Sequence, residues 1–163
     1  MRRTTDVAGH LATLGLLTAE VDLLPPLLPT TGPSVQAFRH REDATPMNAS
    51  QLRGLLNRWL RGLGLTGDLL EDVVLAAYEA MANVVDHAYA GEPGPLDLHA
   101  HAHAGTCTIT IADQGRWRTA PPTSGSFRGR GLGMMHELSN EVLMRSNERG
   151  TTVRMIWRDA YPA

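Results

Sequence analysis

The chain contains no lysine: all fifteen of its basic residues are arginine. That absence excludes a P-loop lysine, the strand lysine of eukaryotic-type protein kinases and a lysine Schiff base. Any phosphate chemistry here must use arginine, backbone N–H groups and metal. Cysteine is nearly absent as well. The single Cys107 rules out an internal disulfide framework and fits a reducing compartment. Aromatic residues make up only 5% of the chain, so aliphatic side chains must dominate the packing. No apolar run reaches the length of about eighteen residues that would mark a membrane span. Arg2-Arg3 opens an apolar-looking stretch, but Asp6, His10 and several threonines interrupt it and no cleavage site follows. A cytoplasmic location is expected. A net charge of −2 argues against general nucleic-acid binding. What remains, in 163 residues with 42% hydrophobic content, is one aliphatic domain.

The stretch with the most chemistry is Glu79-Ala80-Met81-Ala82-Asn83-Val84-Val85-Asp86-His87-Ala88-Tyr89. It closes a helical pattern over residues 68–90 in which Leu70, Val73, Val74, Ala77, Met81, Val84 and Ala88 share one face. Glu79 and Asn83 are four apart and share another face, beside the small Ala76, Ala80 and Ala90. Neither arginine nor lysine occurs between Thr66 and Glu92. Asp68, Glu71 and Asp72 suit the positive end of the helix dipole, but Glu79 and Asp86 lie too far along for that. A carboxylate, an amide and no compensating cation make an oxygen-donor site for Mg²⁺, an ion that takes few protein ligands and keeps waters. Taken by itself, a polar helix face in plain solvent is the simpler account.

In chain order, residues 1–34 form an N-terminal extension. A weak helix around Leu11, Leu14, Leu16 and Leu17 is followed by a linker carrying Pro25, Pro26, Pro29, Gly32 and Pro33. The extension reads equally as a mobile segment, a partner-binding arm or a dimer arm. Residues 35–41 read as a strand, with Val35, Ala37 and Arg39 on one side and Gln36, Phe38 and His40 on the other. Thr45-Pro46 is a helix start, threonine as N-cap and proline first. Leu52, Leu55, Leu56, Trp59, Leu60 and Leu63 then follow helical spacing until Gly62 and Gly64 end it. After the second helix, residues 96–104 and 106–113 alternate as a hairpin around Ala104-Gly105. His99, His101 and His103 line one side of it. They are either a metal face or, as preferred, a solvated face opposite threonines. Residues 116–130 are too long and irregular for a turn and read as a functional lid or a disordered loop. Leu132, Met135 and Leu138 make a short helix behind a glycine-rich start. Residues 141–146 and 151–158 close the chain as a hairpin whose inward side is Val153, Met155 and Trp157. The predicted fold is α+β: a two-layer sandwich with a mostly antiparallel sheet and the helices on one face.

Three features need a common explanation. A glycine-rich loop opening a helix, Gly129-Arg130-Gly131-Leu132-Gly133, presents backbone N–H groups to anions, and Arg128 and Arg130 add charge. Asp113 ends a strand two residues before Gly115, where its carboxylate could accept from an exocyclic amine; alone, it is a turn residue. Glu79 and Asn83 offer a base and a metal ligand. Together they amount to base recognition, metal, general base and phosphate cradle.

At this point the sequence resembles the GHKL ATPases, the gyrase, Hsp90, histidine kinase and MutL superfamily with the Bergerat fold. Glu79 to Tyr89 is similar to their N box, Asp113-Gln114-Gly115 to the first glycine box, and Gly129-Arg130-Gly131-Leu132-Gly133 to the second. Gly150-Thr151-Thr152-Val153 is similar to the closing motif. The Glu-x-x-x-Asn-x-x-x-His-Ala-Tyr and Arg-Gly-x-Gly forms resemble the bacterial anti-sigma factor serine/threonine kinases, the RsbW and SpoIIAB group. The likeness runs over residues 35–158. Asp-Gln-Gly-Arg-Trp-Arg also resembles kinase-like domains appended to bacterial PP2C-type phosphatases.

The resemblance implies an ATP site with Mg²⁺ held by Asn83. It implies that Asp113 and Gly115 serve the adenine, with Thr151 beside them. Arg130, Gly131, Leu132 and Gly133 would wrap the phosphates, and Glu79 would be the catalytic base. His87 either touches this site or, as preferred, packs at the helix end. The implied partners are a sigma factor and an anti-anti-sigma protein with a STAS domain, phosphorylated on serine or threonine; a homodimer is also known in such families. The alternative is a non-catalytic ATP-binding or protein-docking switch. A sensor histidine kinase is not expected, because residues 1–34 are short and interrupted by proline. One departure is plain: Trp117 stands where the first glycine box commonly has its second glycine.

Overall fold

The computed structural model describes residues 35–117 and 130–162, with Arg130 described through its backbone. The weak helix and linker expected in residues 1–34 lie outside this range. So does most of the expected lid, including Arg118, Arg128 and Gly129.

Strand β1 (Gln36–Asp43) leads into helix α1 (Pro46–Gly62) and helix α2 (Gly67–His87). Strands β2 (Pro95–His103) and β3 (Thr106–Asp113) follow, then helix α3 (Arg130–Leu138), and strands β4 (Glu141–Asn147) and β5 (Gly150–Trp157). The strands form one antiparallel sheet in the order β1-β2-β3-β5-β4. Its inner side shares one core with the helices, so the predicted two-layer α+β sandwich is the observed architecture.

Local chemistry explains the boundaries. Thr45 Oγ1 accepts the Asn48 N–H at 3.2 Å, and Pro46 occupies the first turn, where a missing N–H costs nothing. Ala49, Leu52, Leu56 and Leu60 bury one stripe of α1. The predicted apolar face of α2 is buried along its whole length, from Leu70 to Ala88. Ala104 (φ 46°) and Gly105 (φ 76°) are both left-handed, as a two-residue primed hairpin turn requires. Leu98, Ala100 and Ala102 point inward from β2, and Cys107, Ile109 and Ile111 from β3. Burial pushes the Cys107 thiol up to about 12, which makes it a core side chain rather than a nucleophile. On β1 it is Phe38 and His40, not Val35 and Ala37, that are half-buried, and Phe38 packs on Trp59 at 5.7 Å.

On the outer side of the sheet His99 faces Thr110 and His101 faces Thr108, the threonine pairing expected of that strand, but the two histidines are half-buried and Thr108 is buried, so the face is less solvated than expected. Arg39 Nε donates to His99 Nε2 at 3.0 Å. Burial first, then the positive Arg39, His101 and Arg154, hold the pKa of His99 below its usual value. The folded protein therefore keeps His99 neutral in a range where the unfolded chain binds a proton. Stability tied to this residue is complete above about pH 6.5 and falls as the pH drops through the folded value. We expect His99→Gln to reduce the fall in melting temperature between neutral and mildly acidic buffer. An unchanged fall would refute this assignment.

Among the described residues, no helix is long and apolar enough to cross a membrane.

Candidate functional site

Helix α2 is the floor of the site. Its buried stripe faces the sheet and α1, which leaves the adjoining face of Glu79 and Asn83 partly buried, one turn apart. Ala76 and Ala80 beside them are fully buried, so α2 can be approached closely here. The first turn of α3 makes that approach. A Cβ built on Gly131 would lie 3.3 Å from Asn83 Nδ2 and 3.4 Å from Glu79 Oε2. Gly131 is therefore the residue that admits the N-terminus of α3 over this pair. A Cβ on Gly133 would meet nothing within 4 Å.

The structure differs from expectation in one respect. Leu132 lies in α3 as expected, but Gly131 and Gly133 also lie inside its first turn instead of in a loop that opens it. Two glycines weaken a helix, but packing of α3 on α2 outweighs that local preference. Met135 is the buried anchor of α3, whereas Leu132, expected on the same apolar side, is 40% exposed. Backbone N–H groups of a first turn have no partner within the helix, the property that lets helix N-termini receive anions.

The second group of residues surrounds Asp113, which ends β3 and is 6% exposed. Its Oδ1 accepts the Gly115 N–H at 2.9 Å and the Thr151 N–H at 3.2 Å. Its Oδ2 accepts the Trp117 indole N–H at 2.7 Å. Glycine is needed nearby. At Gly115 a Cβ would run into the backbone of Ala88, and Arg116 N–H donates to Ala88 O at 2.8 Å. At Gly150, with φ +133°, a Cβ would run into Asp113 O. Thr151 is buried, and its hydroxyl lies 3.0 Å from that of Ser146.

The two groups are joined along α2. His87, four residues past Asn83, sits edge-on to Trp117 with ring centroids 6.1 Å apart. His87 is the last residue of α2 and packs there on Trp117, as the preferred helix-end reading expects, and that ring in turn bonds Asp113. Asp86 points into solvent.

Tyr89 is a residue whose part the sequence did not disclose. Its hydroxyl donates to Pro95 O at 2.6 Å and accepts the Gln114 N–H at 2.9 Å. It ties the end of α2 to the start of β2 and to the turn after Asp113. Gly94 accommodates its ring, which a Cβ would overlap. Desolvation is the main cause that raises the Tyr89 pKa, so it stays a neutral donor.

Residues 43–157 match the family described as the histidine kinase-like ATPase domain. The chain belongs to that family. This histidine kinase-like ATPase domain is also similar to a crystal structure of the RsbU and RsbW domains of Rv1364c from Mycobacterium tuberculosis. The two are 26% identical, with a TM-score of 0.64, over 78% of this chain. The match spans 34% of the length of that structure, about a third. A looser likeness is to the histidine kinase domain of the blue-light activated histidine kinase from Erythrobacter litoralis EL346. It is 17% identical, with a TM-score of 0.48, over 69% of this chain and 59% of that one.

Family membership makes this a nucleotide-binding domain of the ATPase type, and its residues fit that ligand. The close approach at Gly131 brings a helix N-terminus to the Asn83 amide and the Glu79 carboxylate. Among the described residues, no group of three or more His, Cys, Asp or Glu side chains could hold a metal. A divalent ion here would need phosphate oxygens and water besides the Asn83 amide oxygen, the habit of Mg²⁺.

Proposed function

We propose that residues 35–158 form an ATP-dependent protein kinase of the bacterial partner-switching kind. In this reading the domain transfers the γ-phosphoryl group of ATP to a serine or threonine hydroxyl of a STAS-type anti-anti-sigma protein. In the alternative complex it holds a sigma factor. The observation that carries the reading is the close approach of Gly131, at the opening of α3, to both Asn83 and Glu79. That approach brings a helix N-terminus, an amide and a carboxylate within one side chain's reach of each other, which supports reading them as phosphate cradle, metal ligand and general base. Likeness to a structure containing an RsbW domain supports the choice of partners.

The residues then divide the work. Asn83 would hold Mg²⁺, which would neutralise phosphate charge. The backbones of Arg130, Gly131, Leu132 and Gly133 receive the phosphates. Asp113 accepts from the exocyclic amine of adenine, with Gly115 and Thr151 holding its other oxygen in place. Glu79 takes the proton from the attacking hydroxyl. Most of the rate acceleration comes from positioning and charge stabilisation, as in phosphoryl transfer generally.

We expect Asn83→Ala to weaken Mg-ATP binding by about tenfold or more, the scale of losing one charge-assisted contact. Calorimetry measures this, with circular dichroism to show an unchanged fold. Equal affinity in the variant would sink the site assignment. A second reading, a nucleotide-binding switch without catalysis, draws support from the Trp117 indole at Asp113, which leaves the base pocket already hydrogen-bonded.

A further inference from the structure

We propose that Trp117 is a built-in competitor of the nucleotide base. Its indole N–H occupies the acceptor on Asp113 that a base with an exocyclic amine would use, so nucleotide enters by displacing it. The inference rests on the nucleotide-site reading above.

The argument begins with the two oxygens of a buried carboxylate. Oδ1 is committed, because both of its donors are backbone N–H groups fixed by the fold. Gly115 is wedged against Ala88, and Thr151 lies in β5 beside β3. Oδ2 is the oxygen available to a ligand, and its partner is a side chain. At 2.7 Å the Trp117 bond is at the short end for N–H···O, as expected for a donor to a carboxylate. Indole has one polar group, a donor on the edge of a flat bicyclic ring. Adenine likewise presents an N–H donor on the edge of a flat bicyclic ring, so the two are chemical equivalents toward Asp113.

The surroundings hold the indole in this position. Trp117 is half-buried, packs on the core and meets the His87 ring edge-on. The backbone leading to it is anchored by the Arg116 N–H to Ala88 O, so displacement is a matter of side-chain rotation. Without Trp117, Oδ2 would lack this bond in the free protein, and an unsatisfied buried carboxylate oxygen is costly. The indole removes that cost from the free state, so a nucleotide gains less on entering than it would at an open site. Affinity is thereby set low by a residue that never touches phosphate. A glycine at position 117, the commoner form in the resembling motif, has no side chain to make this bond.

The test uses the full chain, Mg-ATP and Trp117→Phe, which keeps an aromatic ring and removes the donor. Calorimetry is expected to show about tenfold tighter Mg-ATP binding by the variant. In the wild type, the ¹⁵N-labelled indole resonance of Trp117 should show slow solvent exchange in the free protein. It should move and lose that protection at saturation, whereas the resonances of Trp59 and Trp157 stay in place. The indole measurement is made on the wild-type chain and stands whether or not the variant folds. If the wild type binds and Trp117→Phe binds equally or more weakly, the proposal is overturned; weaker binding would mean that the indole stacks on the base. An indole resonance unmoved at saturation overturns it too. If neither chain binds Mg-ATP, the nucleotide reading fails and takes this inference with it. A protected indole N–H in the free protein would then separate that case from a missing Asp113 bond.

Discussion

Alanine in place of Gly115 is expected to destabilise the domain by about 3 kcal/mol, the upper part of the range for forcing an atom into packed structure. For a chain of this size that is a fall in melting temperature of about 10 °C. The cause is local and rigid. A Cβ at this position overlaps the carbonyl group and Cα of Ala88, which are backbone atoms of the α2 terminus and cannot rotate away. Relief requires moving the turn that carries Gly115, and that turn supplies the N–H to Asp113 Oδ1 and the Arg116 N–H to Ala88 O. Nucleotide binding should therefore fall together with stability. Gly133→Ala is the informative contrast. Its Cβ meets nothing within 4 Å, and alanine is favoured over glycine in a helix by up to about 1 kcal/mol. That variant should melt at or above the wild-type temperature. It should still bind Mg-ATP more weakly if phosphate approaches the first turn of α3. Thermal melts followed by circular dichroism decide the first part and calorimetry the second. A Gly115→Ala chain as stable as the wild type would contradict the packing described here.

The elements were legible where local signals agreed with the tertiary environment. Thr45-Pro46 placed the start of α1, because capping and fixed φ act within one turn. Ala104-Gly105 placed the β2–β3 turn, because a two-residue hairpin selects for left-handed backbone. The apolar stripe of α2 fell entirely in the core, because its period matched the helix over five turns. Site residues far apart in sequence were legible only through their motifs. Family resemblance singled out Asp113 and Thr151, and the structure joins them across thirty-eight positions through a bond no local pattern announces.

The parts that sequence did not disclose share a physical cause: they depend on a partner supplied by another element. Whether Phe38 or Ala37 faces the core turns on where α1 docks against the edge strand β1, and Trp59 decides it. Glycines at 131 and 133 signal a loop by propensity, yet α3 forms through them because its packing on α2 outweighs that signal. The Tyr89 hydroxyl finds Gln114 twenty-five positions later. Trp117 was visible as a departure from a glycine pattern, but only the fold shows that its N–H meets Asp113.

Replacing Glu79 with alanine is expected to lower phosphoryl transfer to the proposed STAS-type substrate by about a thousandfold, within the range for loss of a general base. Mg-ATP binding should be essentially unchanged. The two effects separate because Glu79 and Asn83, though one turn apart on α2, are asked for different chemistry. The amide at 83 can hold a cation but cannot take a proton at neutral pH, whereas the carboxylate at 79 can do so. Among the described residues, neither of the ion pairs formed involves Glu79. Its position beside Gly131 places it at the helix end proposed to receive the phosphates, where an attacking hydroxyl would have to arrive. Glutamine at the same position keeps the length and the hydrogen-bonding capacity but removes the basicity. If proton abstraction is the role, Glu79→Gln should lose transfer as fully as Glu79→Ala. If the side chain only orients the substrate, glutamine should retain most of it. Radiolabel transfer from ATP measures all three chains under single-turnover conditions. Wild-type transfer by both variants would remove Glu79 from the chemistry, and absence of transfer in every chain that still binds Mg-ATP would favour the switch.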